Sequence, residues 1–228
     1  MLRRRGRCVA VATNGTKGPA QQPYAPSVDI VSILVWVGTL TFAATGALVA
    51  VRAKFDLIGV LVLAAVTAIG GGSIRDVIVG ALPPASFTNE PLLWVVAATA
   101  LVTFFAHRRL RLESRVLYAL DTLGLAIFAA LGAERGLAYG MGMWGTVFAG
   151  AVSGVGGGVL RDVLTGQVPG IFYRAGDFYA SAAAVGALAT YLLQPLGDGA
   201  ALLGGAMVVL IVRVGSRLLR LQLPVPRT

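Results

Sequence analysis

The stretch GGGSIRDVIVG at residues 70–80 recurs as GGGVLRDVLTG at residues 156–166. An offset of 86 residues separates the two copies, and the same offset relates other glycines and aromatic residues of the chain. These pairs are Gly38 and Gly124, Phe42 and Phe128, Gly46 and Gly132, and Gly59 and Gly145. Self-similarity at a fixed offset indicates an internal repeat. We therefore interpret the chain as two copies of one structural unit.

The composition around the motif is that of a membrane protein. Hydrophobic residues make up 57% of the chain, and charged residues make up 13%, against about 25% in a typical soluble domain. The net charge of +9 does not indicate nucleic-acid binding, because the basic residues lie between apolar segments and form no stripe with aromatic residues. The single cysteine, Cys8, excludes an internal disulfide and a metal site built from several cysteines.

Seven apolar segments are close to the ~20 residues that span a bilayer as a helix. They run over residues 28–51, 57–80, 91–107, 116–134, 143–166, 176–196 and 199–219. Each copy of the repeat holds three of them, so the second copy enters the membrane in the opposite orientation. We therefore predict an all-α membrane protein with inverted repeats at 28–107 and 114–196 and a seventh helix at 198–220. Such inverted repeats are typical of transporters and some channels, with the functional path at the repeat interface.

The ends of the chain and its loops predict an orientation. Residues 1–27 are basic and rich in proline, and we expect a disordered tail there, with a cytoplasmic tail at 221–228. The basic residues of alternate loops lie on one side, and they are Arg52, Lys54, Arg108, Arg109, Arg111, Arg115, Arg174, Arg217, Arg220 and Arg227. Because cytoplasmic loops carry an excess of Lys and Arg, this side is predicted to be cytoplasmic. The N-terminus is then outside and the C-terminus inside.

Three consecutive glycines inside a membrane helix weaken it, since each costs about 1 kcal/mol relative to alanine. We predict that the second and fifth helices are broken at Gly70–Gly72 and Gly156–Gly158. Backbone carbonyls freed at Gly70, Gly71, Gly156 and Gly157 would suit a cation. The alternative is that these glycines only allow close packing of helices.

Charged residues follow each glycine triplet. Arg75, Asp76, Arg161 and Asp162 lie at membrane depth, where charges rarely face lipid and usually pair. Neighbouring residues point about 100° apart on a helix, so we expect partners on other helices. Our hypothesis is that the arginines line or gate an aqueous path and the aspartates anchor them; the alternative is a pair of structural salt bridges. Asp121 either pairs with an arginine of a neighbouring helix or lies among lipid headgroups.

Enzyme chemistry has no candidate residues in this sequence. His107 is the only histidine, so the chain has no metal site built from several histidines. It also lacks the histidines from which a Ser-His-Asp triad could be chosen. The glycine triplet interrupts a membrane helix and does not follow a strand, so it is not a nucleotide-binding loop. We therefore expect a protein that is not an enzyme and needs no cofactor.

The doubled motif, together with the pattern Asp121, Gly124, Phe128 and Gly132, resembles the bacterial branch of the trimeric intracellular cation (TRIC) channels, also labelled a glycine-transporter domain. The resemblance covers residues 28–219. It implies a homotrimer of seven-helix subunits in lipid of the bacterial inner membrane, each with a pore lined by the second and fifth helices. Potassium is the expected permeant ion, with sodium passing less selectively. Residues carried over as pore-forming or gating are Gly70, Gly71, Gly72, Arg75, Asp76, Gly156, Gly157, Gly158, Arg161 and Asp162. We count Asp121 as a further pore or gating candidate.

Two classes of function stay open on the sequence alone. A monovalent cation channel and a secondary transporter of a small zwitterion such as glycine both suit inverted repeats with broken helices. A scaffold without transport is a third reading, but it does not explain the doubled Arg-Asp pairs.

Overall fold

Eight α-helices and two short 3-10 turns form the protein in a computed structural model, which describes residues 30–107, 114–172 and 178–219. The helices are α1 (Ile30–Arg52), α2 (Leu57–Val79), α3 (Ala85–Thr88), α4 (Glu90–Ala106), α5 (Ser114–Ala138), α6 (Met143–Leu164), α7 (Tyr179–Leu193) and α8 (Asp198–Leu218). The 3-10 turns lie at Gly170–Phe172 and Gln194–Leu196. No strand occurs in these residues, which confirms the all-α class. The predicted tails at 1–27 and 221–228, and Arg108, Arg109, Arg111, Arg174, Arg220 and Arg227, lie outside the described residues.

Seven of these helices fall on the seven apolar segments, and α3 is a single turn in a loop. By length and composition, α1, α2, α5, α6 and α8 could each cross a membrane. The other two are shorter, with 17 residues in α4 and 15 in α7. At 1.5 Å per residue α7 is ~22 Å long, less than the ~30 Å of a hydrocarbon core. The helix content is that of a multi-pass membrane protein, and the count of seven crossings stays a prediction.

Equivalent residues begin and end the long helices. Asp56 caps α2, because its carboxylate accepts a hydrogen bond from the backbone N–H of Gly59 at 2.7 Å. Gly80 and Gly166, which are related by the repeat, follow the ends of α2 and α6 with φ values of 79° and 69°. Glycine takes this left-handed conformation without a steric penalty. The loops that follow α2 and α6 therefore leave their helices in the same way.

The two copies meet through reciprocal contacts in the core. A Cβ atom at Gly38 would lie 3.1 Å from the ring of Phe128, and one at Gly124 would collide with the ring of Phe42. The two phenylalanine rings stack with centroids 5.2 Å apart. In both contacts a glycine of one copy packs against the phenylalanine of the other copy. This is the relation that a two-fold axis between identical surfaces produces.

The glycine triplets themselves form the crossing of α2 and α6. A Cβ atom at Gly71 would collide with the backbone oxygen of Ser153, and one at Gly157 with the backbone oxygen of Thr67. Thr67 and Ser153 are equivalent residues of the two copies, so this contact is reciprocal too. A Cβ atom at Gly156 would lie 2.9 Å from the Cα atom of Gly71. The two backbones therefore approach more closely here than any side chain would allow.

The breaks predicted at Gly70–Gly72 and Gly156–Gly158 are absent, because α2 and α6 continue through both triplets. The prediction was wrong because it counted the intrinsic cost of glycine in a helix and not the packing that glycine permits between helices. Each carbonyl inside a continuous helix accepts a hydrogen bond from the backbone N–H of the residue four positions further along. The physical ground for cation contact at the backbone of Gly70, Gly71, Gly156 and Gly157 is thereby lost, and close packing explains the triplets.

Candidate functional site

The charged residues of the two motifs lie at opposite ends of the helical bundle. Asp76 is 4.0 Å from Arg135 near the end of α5, whereas Arg161 bonds Asp121 near the start of α5. Asp121 and Arg135 are 14 residues apart on this helix, which is ~21 Å at 1.5 Å per residue. We call Arg75, Asp76 and Arg135 the α2 cluster. The α6 cluster consists of Asp121, Arg161, Asp162 and Arg213.

In the α2 cluster, Asp76 is fully buried and accepts hydrogen bonds on both carboxylate oxygens. Arg75 donates to Oδ1 from Nε at 3.0 Å and from Nη2 at 2.8 Å. The backbone N–H of Ala85, the first residue of α3, donates to Oδ2 at 3.0 Å. Arg75 also reaches across the helix crossing, where its Nη1 donates to the hydroxyl of Ser153 at 3.3 Å. Asp76 thus anchors an arginine that spans from α2 to α6.

In the α6 cluster, Asp121 bridges two arginines from different helices. Arg161 Nη1 donates to its Oδ1 at 2.8 Å, and Arg213 Nη2 donates to its Oδ2 at 2.8 Å. Arg161 also donates from Nε to Asp162 at 2.9 Å. Of the two alternatives for Asp121, pairing with an arginine of a neighbouring helix is the one found. The side chains of Asp121, Arg161 and Arg213 are only 7%, 9% and 4% exposed.

Arg75 and Arg161 each also pair with the aspartate that follows in the sequence, a contact that the sequence analysis does not predict. The guanidinium folds back along the helix, so the 100° between neighbouring residues is spanned by the length of the arginine side chain. The expected partners on other helices are present as well, in Asp121 and Arg135.

The third glycine of each triplet lies beside these side chains. A Cβ atom at Gly72 would lie 3.7 Å from Nη2 of Arg75, and one at Gly158 would lie 3.6 Å from Nη2 of Arg161. At Gly158 that atom would also collide with the hydroxyl of Tyr179. The middle glycine therefore serves the helix crossing. A Cβ atom at the third position would only be in ordinary contact with the arginine of the next turn, and at Gly158 it is Tyr179 that requires glycine.

Arg213 and Tyr179 are members of this environment that the sequence interpretation missed. Arg213 lies in α8, outside the repeat, and its guanidinium lies over the ring of Tyr179 at 4.4 Å. One signal could have identified it, since Arg213 is a charge inside the apolar segment 199–219 and such charges are candidates for function. Tyr179, in contrast, has no distinguishing pattern in the sequence.

The two clusters differ in formal charge. Two arginines and two aspartates balance in the α6 cluster, whereas the α2 cluster has two arginines and one aspartate. The difference arises because Val35 stands where the first copy would have an equivalent of Asp121. Within the described residues, no group of three or more His, Cys, Asp or Glu residues could hold a metal ion. A shallow apolar cleft on α4, lined by Leu101 and Phe105 among others, lies apart from both clusters.

Comparison with known proteins relates this architecture to a family. The sequence model of the family described as glycine transporter matches the chain twice, over residues 32–108 and 118–195. A UPF0126 membrane protein of Deinococcus radiodurans is 47% identical over 192 residues, covering 84% of this chain and 89% of the relative. The UPF0126 inner membrane protein YadS of Escherichia coli K12 is 36% identical over 194 residues, covering 82% and 92%.

Two solved structures of similar fold are described as TRIC cation channels. One comes from a study of the structural basis for conductance through TRIC cation channels; its TM-score is 0.80 at 33% identity, covering 88% of this chain and 98% of that one. The TRIC trimeric intracellular cation channel orthologue from Rhodobacter sphaeroides has a TM-score of 0.78 at 35% identity, covering 84% and 99%. These matches extend over nearly the whole length of the solved chains.

Proposed function

This chain belongs to the bacterial trimeric intracellular cation channel family, and from that membership we propose that it is a monovalent cation channel permeable to potassium, with sodium passing less selectively. The observation that carries the proposal is the likeness to solved TRIC cation channels, which extends over 98% of one such chain. The paired charges at both ends of the α2–α6 crossing support it, because buried charges in membrane helices mark ion pathways.

The proposed pore follows α2 and α6 within one subunit, past Arg75 at one end and Arg161 at the other. A potassium ion ~6 Å from an unpaired guanidinium would be repelled by ~3 kcal/mol at an effective dielectric constant of about 20. Asp121 and Asp162 offset this repulsion at Arg161, as Asp76 does at Arg75. The aspartates thus keep arginines compatible with a cation path.

The proposed assembly is a homotrimer in the inner membrane of a bacterium, surrounded by lipid. The similar Rhodobacter sphaeroides protein is a trimeric channel, and the similar Escherichia coli protein is an inner membrane protein. The loop charges favour an N-terminus outside and a C-terminus in the cytoplasm. Native mass spectrometry of the purified protein should give three chains per particle.

The test is single-channel recording of the purified protein in a planar bilayer under a KCl gradient. We expect discrete openings that reverse near the potassium equilibrium potential. Arg75→Ala and Arg161→Ala each remove one positive charge from the path, so both should raise the conductance at low salt by up to about tenfold, the equivalent of ~1.4 kcal/mol. Arg52→Ala, an exposed arginine at the end of α1, is the matched control and should keep the wild-type conductance.

A secondary transporter of glycine is the second candidate, and the description of the matching family as a glycine transporter favours it. A transporter would give no discrete openings at any voltage, and it would exchange labelled glycine into liposomes with saturation. That pair of results would replace the channel by the transporter.

A further inference from the structure

We propose that Arg213 of α8 is a positioning residue, which sets the place of the Arg161 guanidinium through the Asp121 carboxylate. This inference rests on the proposed function, because it treats Arg161 as a residue of the cation path. Arg161 and Arg213 bond the two different oxygens of one carboxylate, each at 2.8 Å. The orientation of that carboxylate therefore depends on both arginines at once.

The bridge is buried enough to act as one unit. All three side chains are less than 10% exposed. Removing one partner of a buried ion pair leaves a charge without compensation, which costs far more than the pair contributes. If Asp121 turns away, its bonds to both Arg213 and Arg161 are broken.

Aromatic contacts make Arg213 the fixed end of this bridge. Its guanidinium lies 4.4 Å from the ring centroid of Tyr179 and 5.0 Å from that of Tyr118. The hydroxyl of Tyr118 donates a hydrogen bond to the backbone oxygen of Arg213 at 3.1 Å, which ties α5 to α8 at the same place. A guanidinium held over two rings is a rigid reference for the carboxylate that it bonds.

Only the second copy of the repeat has this device. Asp121 has Val35 as its equivalent in the first copy, and α8 has no counterpart in either copy. Arg75 bonds Ser153 across the helix crossing, whereas Arg161 is turned towards α5 and α8. α8 therefore determines how the two equivalent arginines differ. Arg161 is fixed at its end of the bundle, whereas Arg75 spans the crossing of α2 and α6.

Recordings of Arg213 variants separate charge from geometry. Arg213→Lys keeps the charge but loses the planar fork, so we expect unchanged conductance and an open probability that changes about tenfold, the equivalent of ~1.4 kcal/mol. Arg213→Gln also removes a positive charge, so it should raise the conductance as well. Arg217→Gln is the matched control, because Arg217 lies one turn further along α8, is exposed, and stacks on Tyr118 without bonding Asp121. Wild-type conductance and open probability in both Arg213 variants would overturn the proposal.

A second measurement tests the bridge without currents. Thermal unfolding is compared for Arg161→Gln, Arg213→Gln and the double variant, each with Asp121 and with Asp121→Asn. With Asp121 present, we expect the fall in Tm of the double variant to exceed the sum of the falls in the two single variants. The reason is that the Asp121 carboxylate loses both of its arginines only in the double variant. With Asn at 121 this excess should vanish. Additive losses in both backgrounds would refute coupling through Asp121, whereas a silent wild-type channel with the excess present would refute only the proposed function.

Discussion

At the scale of single residues, the three glycines of each triplet have different tasks. The middle glycine, Gly71 or Gly157, meets the backbone of the opposite helix, and the third glycine lies beside an arginine side chain, with Tyr179 also packed against Gly158. The first glycines differ, because Gly70 meets the side chain of Leu160 whereas Gly156 meets the Cα atom of Gly71. Packing, rather than flexibility, is therefore the requirement that the triplet satisfies.

Alanine substitutions at successive glycines distinguish packing from hinge motion. Gly71→Ala places a methyl group against a backbone oxygen of α6, and overpacking of this kind costs about 1–3 kcal/mol. Gly72→Ala meets only Nη2 of Arg75 at 3.7 Å and Ser86 at 4.0 Å, so it should gain up to about 1 kcal/mol of helix propensity. Thermal unfolding of the purified variants should therefore show a lower Tm for the first and an unchanged or higher Tm for the second.

Gly215→Ala is the matched control for this series, because Gly215 lies in α8 and a Cβ atom there would meet nothing within 4 Å. Equal losses of Tm at Gly71 and Gly72, with none at Gly215, would contradict the packing account. That result would indicate that the triplet needs backbone freedom as a whole.

At the scale of helices, apolar length located the elements well. The predicted segment 143–166 corresponds to α6 at Met143–Leu164, and the segment 57–80 to α2 at Leu57–Val79. Continuity through Gly70–Gly72 could not be predicted, because it depends on what crosses the triplet from another part of the chain. The pairing of Asp121 with Arg213 could not be assigned for a similar reason: Arg213 is visible as a charge in an apolar segment, but it lies 92 residues away in a helix without a copy.

The ends of α2 and α6 provide the element-scale prediction. Asp76 is fully buried and bonds Arg75 and the start of α3, so Asp76→Asn should cost about 3 kcal/mol or more, as breaking a buried ion pair does. The equivalent Asp162 is 17% exposed, and its bond to the backbone N–H of Gly170 is long, at 3.4 Å. Asp162→Asn should therefore cost less. Chemical or thermal unfolding of both variants gives the comparison, and equal losses would show that burial does not control the strength of these pairs.

At the scale of the whole molecule, the reciprocal contacts decide how the two copies are related. Gly38 with Phe128 mirrors Gly124 with Phe42, and the contacts at the crossing of α2 and α6 mirror each other as well. α8 and the residues that bond it, such as Asp121, depart from this symmetry. A two-fold relation between three-helix units is compatible with a membrane if its axis lies in the membrane plane. The loops that follow equivalent helices must then open on opposite sides.

Cysteine labelling tests this consequence directly. In a Cys8→Ser background the chain has no other cysteine, so a single cysteine can be placed at Ala53 or at Ala138. Both are exposed residues, in the α1–α2 loop and at the end of α5, which are equivalent places in the two copies. A membrane-impermeant maleimide applied to intact cells should label Ala138→Cys and not Ala53→Cys, because the basic loop of Arg52 and Lys54 is predicted to face the cytoplasm. Inside-out vesicles should reverse the result. Labelling of both positions from the same side would exclude the inverted arrangement. Labelling of Ala53→Cys alone in intact cells would support inverted repeats, but with the orientation in the membrane opposite to the predicted one.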